Sequence, residues 1–438
     1  MKLNIDNFIN ENEIKFLFKS LYKIPNRSIM GEGFRKSLSI IGKKVDLNIK
    51  SIKSGKKVLD WIVPDEWNIK DGYIVSPSGK KIADFKKHSL HILNYSTPIK
   101  KKVSLKELKK HLYTLPELPD AIPYVHSYYE RKWGFALSHN EFLKLKEGEY
   151  EVFIDSEIKP GKLVYSDTLI KGKSKKEVLL STYLCHPQTA NHELSGPIVW
   201  STLYNIIKNT GPHYYSYRFL ICPENIGAAA FLHNSKKNFK KIVAGYIINC
   251  VGHGKEVTYK KSRVGDTLSD QAALNVICNS NYNFKVVDFE PDGSDERQFC
   301  SPGFNMPIGL IMRKMFGTFN EYHNSLDDEN FISFKTIMES VKLYNEVLCT
   351  IDKNFTPIAK IKYGTPQLSR YSKNLYPNTM KFNSFNTKNE NRRFLLETLN
   401  LSDGNMNFLE ICQKKNFKFI DYLHIVQNLL DSRLIKAK

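Results

Sequence analysis

From about residue 160 the chain alternates apolar runs of strand length with longer segments of helical periodicity, and this rhythm limits the possible folds more than any other feature. "EVLLSTYLC" (177–185), "YSYRFLICP" (215–223), "KIVAGYIINCVG" (241–252) and "MPIGLIMR" (306–313) read as buried strands. "SGPIVWSTLYNIIKN", "GAAAFLHNSKK" and "SDQAALNVICNS" read as helices between them, and "FISFKTIMESVKLYNEVLCTID" as a long closing helix. Parallel strands need crossovers of about a dozen residues or more, which these helices supply. The expected fold is α/β, a mostly parallel sheet flanked by helices. Such sheets bind ligands beyond the carboxyl ends of their strands.

The rest of the chain has a different texture. Residues 1 to about 55 read as helical. Residues 58–155 show short alternating runs around Pro64, Asp71-Gly72 and Pro77-Ser78-Gly79, which reads as an inserted β-rich module. A Pro/Asn/Ser/Lys-rich stretch around 355–385 reads as a linker, and three helical segments after it suit a winged-helix module. The expected division is therefore 1–57 with 156–360 as a discontinuous main domain, 58–155 as the insert, and 386–438 as the tail.

Several function classes are disfavoured by composition. No apolar run approaches the roughly 20 residues of a membrane span, and the N-terminus lacks a signal-peptide core. Seven scattered cysteines without a CxxC pair fit buried thiols in a reducing, cytoplasmic setting. The net charge of +20 is spread through lysines interleaved with Asn and Ile, which favours solvated faces over a polyanion-binding stripe. In 390–438 eight Lys/Arg stand against six Asp/Glu, and Asp421 and Asp431 lie on or beside the presumed recognition helix. A nucleic-acid reader concentrates cations there, so the tail reads as a packing or interaction module. Homo-oligomerisation is left open.

Chemistry gathers where strands end. The first strand runs into Cys185-His186-Pro187, with His192 and Glu193 soon after; the second runs into "PENIG" with Glu224. The third ends near Asn249 and His253, and "EYHNSLD" supplies His323 and Asp327. In a helix His186 and His192 would lie on poorly matched faces, but a strand opening into a loop can fold them around one point. Imidazoles and carboxylates from separate strand ends make a zinc-like cup with one open position, the arrangement of amide hydrolysis.

"CHP…ANHELSG", "PENIG", "SDERQF" and "EYHNSLD", in that order, resemble the zinc-dependent exopeptidases. More closely the chain resembles an uncharacterised aminopeptidase-like branch with an inserted β-rich domain, to which "YVHSYYERKWGF" (124–135) also corresponds, and a C-terminal winged helix. The resemblance implies His186, Glu224 and His323 as metal ligands. It places His192 where those enzymes carry a bridging aspartate, with Glu193 next to it. It also marks departures: Pro223 stands where the general base is expected and Asn249 where an aspartate is expected. Two cations about 3.5–4 Å apart need a bridging anion, which a neutral histidine cannot supply.

The expectation is therefore one divalent metal, most simply Zn, on His186, His323 and either Glu193 or His192, with Glu193 ranked first and Glu224 close by. Glu193 or Glu224 would handle the proton, with Asp295 and Glu296 orienting substrate or water. Tyr129 and Arg131 of the insert, and Arg297, are the substrate-binding candidates. The expected function is metal-dependent amide hydrolysis of a peptide or amino-sugar conjugate. The surface-polysaccharide setting is what the resemblance implies. The alternative is a catalytically impaired metal- or ligand-binding regulator that signals through the C-terminal module.

Overall fold

A computed structural model of the protein describes residues 5–236, 238–371, 375 and 388–438. Two amphipathic helices open it, α1 (Glu11–Tyr22) and α2 (Glu32–Ile41). Asn10 caps α1 by accepting from the amides of Asn12 and Glu13 (3.0 and 3.2 Å). Next comes β1 (Ile49–Lys53), a strand where the sequence reads as helical. Exposed Ile49, Ser51 and Lys53 alternate with half-buried Lys50 and Ile52, a solvated edge-strand pattern that resembles no core strand.

The inserted segment carries β2 (Glu66–Val75), β3 (Lys81–Ile82), β4 (Ile99–Ser104) and β5 (Glu149–Lys159). They form an antiparallel sheet in the order β3-β2-β5-β4. Burial along β5 alternates, as expected of a sheet with one face packed and one wet.

The main sheet adds β6 (Lys162–Ile170) and β7 (Glu177–Tyr183); α3 (Ser195–Thr210) leads on to β8 (Ser216–Cys222). After α4 (Ile226–Ser235) come β9 (Ile242–Ile247), β10 (Val257–Lys260), α5 (Leu268–Ile277), β11 (Phe284–Val287), β12 (Ile308–Met312) and the closing helix α6 (Phe334–Lys353). The order is β1-β6-β8-β7-β9-β12-β10-β11. Parallel pairing joins β8, β7, β9 and β12, while β1, β6 and β10 pair antiparallel at the flanks. Every residue of β7 is buried, because helices cover both faces of a central parallel strand. α3 crosses the sheet so closely that a Cβ on Gly196 would stand 2.2 Å from the Ile248 carbonyl oxygen.

The chain closes with β13 (Pro357–Ala359), α7 (Lys388–Leu401), α8 (Phe408–Lys415), α9 (Leu423–Asp431) and β14 (Ile435–Ala437). β14 pairs antiparallel with β13, which lies inside the stretch expected as linker. Residues 372–374 and 376–387, in and just after that stretch, lie outside the described residues. Among the described residues no helix is long and apolar enough to cross a membrane.

Candidate metal centre

His186 stands just past the end of β7, where the strand hands over to a loop. Its carbonyl oxygen accepts from Arg27 Nε (2.9 Å), a fully buried arginine that follows α1. His186 Nδ1 donates to Glu193 Oε2 (2.7 Å), which leaves Nε2 as the ring's open nitrogen. Glu224 Oε2 lies 3.7 Å from that Nε2.

The chain then makes a π-helical turn, Ala190–Leu194, before α3. Such turns carry one extra residue per hydrogen-bonded loop and recur at functional sites. Asp327 fixes this one: Oδ1 accepts the Asn191 amide (2.6 Å) and Oδ2 the His192 amide (2.9 Å). The turn sends the adjacent side chains of His192 and Glu193 to different places. His192 joins His186 and His323, with ligand atoms of all three within 4.8 Å of one another. Glu193 instead sits on the far nitrogen of His186. Beside the other two histidines stands His192, the second-ranked candidate, while Glu193 falls with Cys185 and His186 in a second such cluster.

His192 Nε2 donates to the Tyr183 hydroxyl (3.0 Å), and that hydroxyl donates to the His192 carbonyl (3.3 Å). Nδ1 of His192 is consequently bare, buried and without a hydrogen-bond partner, as is Nε2 of His323. His323 holds φ at 58°, a left-handed conformation that costs a non-glycine residue about 1–3 kcal/mol. The Tyr124 amide grips its carbonyl (2.8 Å), and Tyr322 stacks on its ring at 4.0 Å.

The three rings lie with centroids 4.5, 4.5 and 5.3 Å apart. Burial pushes His192 and His323 well below the ordinary histidine pKa, and repulsion between the rings adds to it. Burial also opposes a charge on His186, but Glu193 outweighs it and its pKa rises. Two neutral, lone-pair-bearing nitrogens thus face a third imidazole with no proton donor to satisfy them. Leaving such atoms buried is costly. A divalent cation is the partner that this donor set fits, with His186 already oriented by a carboxylate in the usual manner of ligating histidines.

The acids around the trio have distinct tasks. Burial is the main force lifting Glu224 to about 7; His186 and Arg297 oppose it, while Glu193 and Glu296 reinforce it. Asp295 is fully buried and accepts the Asn225 amide (2.5 Å), bracing a left-handed turn beside Glu224. Glu296 is buried against Lys260 (2.8 Å). Arg297 Nε donates to Asn225 Oδ1 (2.7 Å), so it braces the same turn. Asn249 Nδ2 donates to Ser294 Oγ (3.1 Å), and His253 Nδ1 to the Phe331 carbonyl (2.7 Å). In the insert, the Tyr129 hydroxyl donates to the Ile62 carbonyl (3.2 Å) and Arg131 pairs with Asp65 (2.6 Å), both on the surface. The insert instead reaches the trio through Tyr124, edge-on to His186 at 4.9 Å and to His323 at 5.5 Å. Tyr183, Arg27 and Tyr322 were not singled out by sequence reading. Tyr322 carries a signal in being adjacent to His323, whereas nothing around Arg27 hints at the site.

A sheet of this topology with imidazoles and acids at its carboxyl edge defines an aminopeptidase-like α/β protein, here with a C-terminal winged helix. A zinc aminopeptidase from Bacillus subtilis has the same fold at TM-score 0.53 and 12% identity, over 76% of this chain and 94% of that one. A peptidase M28 precursor from Shewanella amazonensis does so at TM-score 0.51 and 11% identity, over 80% and 98%. More particularly, residues 16–354 match a family described as a domain of unknown function, DUF4910, and the chain belongs to that family. Residues 356–437 match a winged helix-turn-helix family. A Clostridium acetobutylicum protein, provisionally named a polysaccharide biosynthesis protein with an aminopeptidase-like domain, is 39% identical over 97% of this chain and 96% of its own length. The crystal structure of a provisionally named peptidase from that organism superposes at TM-score 0.90 with 38% identity, over 99% and 98%.

Proposed function

We propose that the protein is a hydrolase of amides that uses one divalent metal, most simply zinc, held by His186, His192 and His323. The observation that carries this reading is the convergence of three buried imidazoles, with His192 Nδ1 and His323 Nε2 unpartnered. A single ion is favoured because His192 and Asn249 replace the anions that a cation pair needs. When bound, such an ion supplies Lewis acidity toward an amide carbonyl.

Glu224 is the proton carrier. Its carboxylate lies beside the open nitrogen of His186, and a group poised near neutral pH suits both taking a proton from water and giving one to a leaving amine. Pro223 cannot do this, so Glu224 takes both parts. Glu193 holds His186 in one tautomer, Asp295 and Arg297 brace the turn that presents Glu224, and Tyr124 and Tyr322 exclude water from the imidazoles. The relatives' names support peptide or polysaccharide-linked substrates.

Elemental analysis of protein purified without added metal tests the reading. About one equivalent is expected, lost in the H186A/H323A double variant; none, or two, would sink it. Stoichiometric metal with no turnover of aminoacyl or N-acyl amides would instead favour a regulator working through the winged-helix module, the second reading supported by the match at 356–437.

A further inference from the structure

His323 borders a cleft of about 520 Å3 whose other walls are residues 112–116 and 123–125 of the insert, together with Tyr322. No Asp, Glu, Lys or Arg contributes to that lining. Its polar groups are the hydroxyls of Tyr113, Thr114, Tyr124 and Tyr322, set among Leu, Pro and Val. An ammonium or carboxylate entering would lose water without gaining a countercharge, which is unfavourable. An uncharged ring would gain stacking surface on tyrosine and hydroxyl partners at its rim.

The acids near the imidazoles point the same way. A free α-ammonium needs a carboxylate to receive it. Glu193 is committed to His186 (2.7 Å), Asp295 to the Asn225 amide (2.5 Å), Glu296 to Lys260 (2.8 Å), and Asp327 to the amides of Asn191 and His192 (2.6 and 2.9 Å). Glu193 Oε1 and Glu296 Oε2 are unpartnered but fully buried; of these five acids only Glu224 is partly open, and it cannot both anchor an ammonium and shuttle the reaction's proton.

We infer that the substrate nitrogen is acylated: the protein is a deacylase for a neutral N-acyl amide whose ring-sized uncharged group lies in the cleft between Tyr124 and Tyr322. This rests on the hydrolase reading above. Water's oxygen bonds to the acyl carbon, the C–N bond breaks, and the nitrogen leaves with a proton passed through Glu224. The products are a carboxylate and an ammonium compound. Two sources share this chemistry, acylated amino sugars and N-blocked amino acids with apolar side chains.

Full-length protein is tested with matched pairs at about pH 6, where free amines are charged. Turnover follows acetate release from N-acetylphenylalaninamide and from methyl N-acetylglucosaminide, set against p-nitroaniline release from phenylalanine p-nitroanilide, whose charged amine the cleft should reject. Binding compares methyl N-acetylglucosaminide with methyl glucosaminide, and N-acetylphenylalaninamide with phenylalaninamide, by calorimetry, on zinc-loaded and metal-stripped protein. At least a ten-fold preference for the acylated partner is expected in kcat/KM and, on both metal forms, in affinity. Leu115→Glu, which places a carboxylate in the cleft, is expected to shift binding toward the charged amine by ten-fold or more. Equal or better handling of the charged partner by the native protein, no binding of any acylated ligand at millimolar concentration, or no shift in L115E would overturn the inference. Because the binding pair is read without metal, its outcome is separable from that of the elemental analysis.

Discussion

His192 and Glu193 are neighbours in the chain with different surroundings: one ring nitrogen is bare among imidazoles, while the carboxylate braces His186 from behind. Removing a ligand and removing its support therefore have different consequences. His192→Ala is expected to abolish stoichiometric metal, whereas Glu193→Gln keeps a hydrogen-bond acceptor and should weaken affinity only about 10–100-fold. Chelator competition measures both, with circular dichroism as the check on folding. Equal and complete loss in the two variants would make Glu193 a ligand. The sequence ranks Glu193 first on its anionic character alone, because the direction of each side chain depends on a π-helical turn that no local pattern announces. His186, Glu224 and His323 were legible because each follows an ordered motif at a strand or loop end. Arg27, which also grips this loop, comes from a segment more than 150 positions away, and only the tertiary fold links the two.

Among the elements, the buried strands β7, β8, β9 and β12 were readable as continuous apolar runs, whereas β1, β10 and β11 were not. Phe284–Val287 is exposed over its first half, and Ile49–Lys53 has no fully buried residue, so neither carries a core signal. The π-helical turn depends on Asp327, fully buried and pushed up to about 7 by burial against the pull of its amide donors. Asp327→Asn would turn an NH2 group toward one of two backbone N–H donors. A buried donor left unsatisfied costs about 1–3 kcal/mol. Denaturant unfolding should show a loss of that size, with weaker metal binding, since the turn carries His192; an unchanged midpoint would remove Asp327 from this role. A second clamp joins α3 to α6. His213 Nε2 donates to the Ile207 carbonyl (2.8 Å), and Nδ1 lies 3.8 Å from Asp352 Oδ2. Asp352 is the leading cause that raises the His213 pKa above the ordinary 6.5. A raised folded value means the clamp's contribution is complete below about 6.5, the unfolded value, and is lost as pH rises through the folded one. The native protein should lose more thermal stability across that window than His213→Gln; parallel curves would refute the clamp.

At the scale of the whole molecule, the winged-helix module is fastened to the hydrolase-like domain rather than tethered beside it. Asn275 on α5 does this with both ends of its amide: Nδ2 donates to the Phe417 carbonyl and Oδ1 accepts the Phe419 amide, each at 2.9 Å. Asn354, after α6, adds a contact to the Leu409 amide (3.2 Å). Phe417 and Phe419 are themselves buried, so the polar pair sits in an apolar seam where unmatched backbone groups are costly. Replacing Asn275 by Leu keeps the volume and strands one carbonyl and one amide. The tail should then open more often, exposing the segment after α6 to protease. Limited proteolysis of N275L should release a fragment ending near that segment at least several-fold faster than native protein, while metal content stays unchanged because the imidazoles lie on other elements. Unchanged cleavage would mean that apolar packing alone holds the module. Simultaneous loss of metal would mean that the tail and the metal centre are coupled through α5 and α6, the arrangement a regulator would need.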